Sequence, residues 1–71
     1  MSQLILAALI AEANAKEAKA VANLQNYMSN SAGIGEHPDV VAECVKLVKE
    51  VAEARELRET VNSLVEQSKG E

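Results

Sequence analysis

Between Tyr27 and Asp39 the chain gathers most of the side chains with which it could do chemistry. His37, the only histidine, can titrate near neutrality and so serve as a ligand donor, a base or a pH-sensitive helix cap. Glu36 precedes it and Asp39 follows two residues on, but no Ser, Cys or Lys nucleophile is set beside them by spacing. Cys44 falls two helical turns away, about 10 Å along a helix axis. Catalysis is therefore not expected, and the chain reads as a non-enzyme without a cofactor. Holding a small ligand is a better match. Gly33 and Gly35, around Ile34, let the backbone approach a ligand, and the start of a following helix presents free N–H groups to an anion. Tyr27 can stack on a base or ring, with Asn26 and Asn30 adding amides. The candidate ligand contacts are Tyr27, Asn30, Gly33, Ile34, Gly35, Glu36 and His37.

Several features weigh against a nucleotide fingerprint. The segment lacks the Gly-Lys-Ser/Thr ending of a phosphate loop, it does not follow a strand, and Glu36 and Asp39 repel phosphate. The plainer reading is that Gly-x-Gly and Pro38 close one helix and open another, while Tyr27 packs in the core. Cys44 lies in an apolar stripe, which suits a small buried hydrophobe better than a reactive thiol. No second Cys or extra His stands near it to complete a zinc site, so no metal site is expected.

The elements that must position these residues follow from composition. The chain has 71 residues, 48% apolar and 25% charged, with a formal charge of -4. It has room for one small domain. Twelve alanines and eight valines stand beside no Trp, no Phe and one Tyr, so the large side chains that usually fill a small core are missing. From Ser2 to about Met28, strong helix formers run without Gly or Pro, predicting one long helix. Leu6, Ile10, Ala13, Ala20, Leu24 and Tyr27 follow three-and-four spacing along it, with Glu17 the only break, and Leu9, Val21 and Met28 widen the face. Ser29 to His37 is a loop of turn formers. Pro38 suits a first helical position, His37 or Asp39 the cap, and helix formers resume to about Gln67. In this second helix Val40, Cys44, Leu47, Val51, Ala54, Val61 and Val65 form a stripe interrupted at Arg58, thickened early by Val41, Val45 and Val48.

Two helices of some 40 to 45 Å, joined by a short loop, predict an all-α fold: an antiparallel two-helix hairpin. A lone hairpin with an alanine-rich face is marginal, and its apolar surplus predicts a homo-oligomer, most simply a four-helix bundle, with larger assemblies open. The acidic balance argues against long DNA or RNA. Leu4 to Ile10 lacks a preceding basic residue and falls short of the roughly 20 apolar residues a bilayer span needs, so a soluble, unprocessed chain without a membrane partner is expected. One unpaired cysteine favours a reducing cytoplasm.

The block from Asn23 to Val41, with Gly33-Ile34-Gly35-Glu36-His37-Pro38-Asp39 as its specific part, resembles small proteins encoded by tailed phages, including cyanophages. In these a Gly-Ile-Gly-Glu-His-Pro-Asp/Glu loop separates two helices. The resemblance runs from about Ala20 to Leu57, with the flanking helices alike only in composition. It implies a virus-encoded accessory protein acting in the host cytoplasm, carries over no catalytic residue, and strengthens the ligand reading of Gly33, Gly35, Glu36 and His37. The expectation that results is a non-enzymatic binding protein, in one form a sponge that sequesters a cyclic nucleotide or related messenger of host antiviral signalling. The alternative is an interaction module that binds or inhibits a host or virion protein.

Overall fold

The computed structural model describes residues 2–29 and 39–69. They form two helices packed against each other, α1 (Gln3–Ser29) and α2 (Val40–Lys69). Ser2 starts α1 as its cap: its carbonyl accepts from the Leu6 N–H at 3.0 Å, and its hydroxyl oxygen lies 3.5 Å from the Ile5 nitrogen. Asp39 does the same for α2, its carboxylate accepting from the Ala42 N–H at 2.9 Å and its carbonyl from that of Glu43 at 3.3 Å. Of the two cap candidates the structure thus uses Asp39. This moves the start of α2 to Val40, where the sequence suggested Pro38, because a residue that caps through its side chain stands outside the helix it caps. α1 likewise starts one residue after Ser2 and runs through Ser29, whose hydroxyl donates to the Gln25 carbonyl, and α2 continues past Gln67 to Lys69.

The helices run antiparallel, since Glu17 of α1 meets both Arg55 and Arg58 of α2 while Leu6 and Ile10 share a groove with Val61 and Val65. Seam positions recur in alternating steps of four and three on both helices: 6, 10, 13, 17, 20, 24 and 27 on α1, and 40, 44, 47, 51, 54, 58, 61 and 65 on α2. That alternation keeps one side of a helix facing its neighbour along its whole length. Counting from Glu17 opposite Arg58 sets Ala13 level with Val61, Ala20 with Ala54, and Tyr27 with Leu47. The buried residues are drawn from these positions: Ala13, Ala20, Leu47, Ala54 and Val61. Three of them are alanines, so the seam excludes water by close approach and not by bulk.

The same register runs the two helices past each other at both ends. Ser29 comes level with Lys46, so the first turn and a half of α2 extends beyond α1, and Leu4 and Ile5 extend beyond the last described turn of α2. The molecule measures 54 × 17 × 14 Å, with a radius of gyration of 16.2 Å. A compact chain of this length would have about 11 Å.

Candidate functional site

Of the residues expected to contact a ligand, only Tyr27 is among those described. It sits half-buried at a seam position in the last turns of α1, which is the packing role weighed for it in the sequence. Asn30, Gly33, Ile34, Gly35, Glu36 and His37 lie outside the described residues, as does Pro38. Cys44, expected to be buried, is half-buried, since it stands at the edge of the seam where α2 runs past α1.

Three surfaces of the hairpin carry enough chemistry to matter. The first is a polar latch across the seam. The Glu17 carboxylate accepts from Arg55 Nε at 2.7 Å and from Arg58 Nη1 at 2.6 Å, and the same Arg58 nitrogen donates to Asn14 Oδ1 at 3.0 Å. Arg55 is well exposed, whereas Glu17 and Arg58 are largely covered by the helix pair, with side-chain exposures of 21% and 30%. The hydrogen bond from Arg55, then that from Arg58, together with their positive charges, hold the Glu17 carboxyl below its ordinary value of 4.5, outweighing the opposing effect of partial burial. Glu17 and Arg58 each looked like a defect in one apolar stripe. The structure makes them each other's partner.

The second surface is a groove of about 390 Å³ on one side of the seam, near the loop end of α1. Lys16, Lys19 and Asn23 line it from α1, and Glu43, Lys46, Glu50 and Glu53 from α2. Its volume is at the low end for small-molecule sites. The ion pairs among the described residues both end on Glu17, so these lysines pair with none of the described carboxylates. Three lysines face three glutamates here, so the groove offers fixed charges of both signs and no net attraction for an anion.

The third surface is on the opposite side of α2, where Val40, Val41, Cys44, Val45, Val48 and Lys49 line an almost wholly apolar hollow. Val41, Val45 and Val48 are 73%, 48% and 52% exposed. Met28, in the last turn of α1, is exposed too. At 100° per residue it falls on the Glu17 side of α1, which is the side of the valines. One side of the loop-proximal half is therefore dry and the other charged.

No protein family model, curated protein or solved structure matches this chain. Among the described residues no group of three or more His, Cys, Asp or Glu is placed to hold a metal ion, and no helix is long and apolar enough to cross a membrane.

Sequence reasoning found the valine surface, as a thickening of the α2 stripe, and missed both polar surfaces. The latch had a signal: the only interruptions of the two stripes carry opposite charges. The groove had none, because Lys16 and Lys19 meet Glu43 and Glu50 only once the register of the hairpin is known.

Proposed function

We propose that this chain is a non-enzymatic binding protein whose working form is an assembly of hairpins, holding a partner without converting it. The observation that carries this reading is the mismatch between a seam built largely of alanine and the large apolar side chains left outside it. Leu4, Ile5, Met28, Val41, Val45 and Val48 are all exposed while no large side chain is fully buried among the described residues. The accessible surface is 5370 Å². A globular protein of 7.6 kDa exposes about 4,300 Å². The surplus is what a chain carries when its core is completed by something else. Four packed helices, from two hairpins, are the simplest way to complete it.

The resemblance to small tailed-phage proteins supplies the proposed setting, an accessory protein in the cytoplasm of an infected host cell. Its concrete form is a sponge for a cyclic nucleotide or related signalling molecule, held where loop ends of neighbouring hairpins meet. Tyr27 near one end of that region supports this form, as do the groove lysines Lys16, Lys19 and Lys46, which pair with no described carboxylate. A protein-interaction module is the second reading, favoured by the dry valine surface, which suits a helix of a host or virion protein as well as a nucleotide suits the lysines.

Native mass spectrometry of the intact purified protein tests the proposal. An assembly that retains a few hundred daltons of extra mass per site supports the sponge and gives its ligand class. A bare assembly whose melting temperature stays unmoved by cyclic di- and trinucleotides rejects the sponge and leaves the protein partner. A well-folded bare monomer rejects the assembly itself.

A further inference from the structure

We infer that a second copy of this chain covers the outer valine stripe of α2, in a two-fold pair in which the stripe of each copy lies along the same stripe of the other. This rests on the assembly reading above and adds which face makes the contact and how it is arranged.

The stripe has the form of a helix seam. Val41, Val45, Val48 and Ala52 recur in steps of four, three and four, the same alternation as the seam toward α1, displaced by one residue and hence by about 100° around the helix. α2 therefore shows two adjacent apolar stripes and spends only one on α1. The second is bordered by a single cation in its hollow, Lys49, whose long aliphatic stem can lie along a packed surface with its ammonium in water.

The amount of surface points to a partner of equal size. The chain exposes roughly 1,100 Å² more than a globular protein of its mass. A standard interface covers about 800 Å² on each partner. A two-fold pair makes both partners present the same patch, so one stripe satisfies two chains and leaves no unmatched apolar face at this contact. Antiparallel packing of α2 on its copy sets Val45 level with Val48 of the partner subunit and Val41 level with Ala52 of the partner subunit, larger side chains against smaller at the ends of the contact. It also opposes the two helix dipoles, where a parallel pair would align them. The charged groove is on the far side of the seam and stays in water.

The test uses the full chain and two charge variants, Val45→Glu and Val48→Lys, with mass read by native mass spectrometry and light scattering and helix content by circular dichroism. The wild type is expected to run as a pair, or as a larger assembly built from pairs. Each variant alone is expected to break that contact, because a charge would be buried against an apolar surface, and an equimolar mixture should restore it by setting the introduced carboxylate level with the introduced ammonium. Recovery on mixing is specific to this face meeting itself. If either variant alone loses its helix, the mixture still decides: recovery of helix and mass supports the pair, and no recovery overturns it. An assembly that survives Val45→Glu overturns this face while leaving the assembly reading intact, and directs attention to Leu4, Ile5, Leu9 and Leu64 at the other end. A folded wild-type monomer overturns both.

Discussion

Glu17 and Arg58 show how a polar pair can serve a seam made of small apolar residues. Alanine opposite alanine gives no shape by which one register is preferred to a slip of one turn, because neighbouring alanine positions are nearly interchangeable. A carboxylate that meets two guanidinium groups in only one alignment supplies that preference. Glu17→Leu should lower the melting temperature, since it leaves Arg58 largely covered without its partner, while the double variant Glu17→Leu/Arg58→Leu should recover or exceed wild-type stability and lose the unique register. Thermal melts of the three variants, with cross-links between the helices to read alignment, check this; single and double variants equally destabilised would mean the two residues do not act as a unit. The pH dependence has a fixed sign. Because the folded state holds the Glu17 carboxyl below 4.5, its contribution is fully present above that value and fades as the pH falls through the lower, folded value. Melts from about pH 6 to pH 2 should show Glu17→Gln losing less stability on acidification than the wild type. Asp39 is a separate test at this scale. Asp39→Ala removes the cap of α2 and should cost about 1 kcal/mol, a drop in melting temperature of roughly 4 to 8 °C for a domain of this size. Asp39→Asn should keep most of it.

The two helices were legible in the sequence because their helix formers run unbroken by Gly or Pro and because three-and-four spacing needs no tertiary information to be seen. The partner of each helix was legible for the same reason, as one face of α1 has only α2 within reach. What could not be read was the register, and everything that follows from it: the Glu17–Arg58 pairing, the sharing of one groove by Lys16, Lys19 and Glu43, and the run of α2 past α1. Register is set by opposing side chains, and a seam of alanines carries little sign of it in either helix taken singly. Of the candidate ligand contacts, Tyr27 could be placed because it belongs to a helix, and it takes a seam position. The other six belong to the segment between the helices, where glycines give the chain no periodic pattern to argue from. The closeness of the seam is itself testable. Ala54 is 1% exposed and level with Ala20, which is 2% exposed. Ala54→Leu should push the helices apart and cost about 1 to 3 kcal/mol despite leucine's good helix propensity, whereas Ala42→Leu, on an exposed position of the same helix, should be close to neutral. Comparable melting temperatures for the two would mean the seam is loose enough to admit a leucine.

At the scale of the molecule, shape decides how stability must behave. A rod of 54 × 17 × 14 Å has no interior deep enough to bury a large side chain from all sides, and its largest apolar residues end up where the two helices run past each other or face away from the seam. A chain of this size buries about half the surface its extended form would expose, where a compact domain of about 60 residues buries about 60%. Folding that is incomplete in one chain and completed in an assembly is linked to concentration by mass action. The melting temperature should therefore rise as the protein is concentrated over about two orders of magnitude, and the transition should be described by assembled hairpins going to unfolded single chains. Salt separates this from association through the charged groove, because burial of apolar surface is insensitive to moderate ionic strength while contacts between exposed charges are screened within about 10 Å at 0.1 M. Melts followed by circular dichroism at several concentrations, each in low and moderate salt, make the measurement. Concentration dependence that persists in salt places the missing part of the core on the apolar faces of other hairpins, and concentration dependence that salt abolishes places the contact on Lys16, Lys19 and the glutamates across from them. A melting temperature independent of concentration would mean that the single hairpin, thin seam and exposed valines included, is stable by itself.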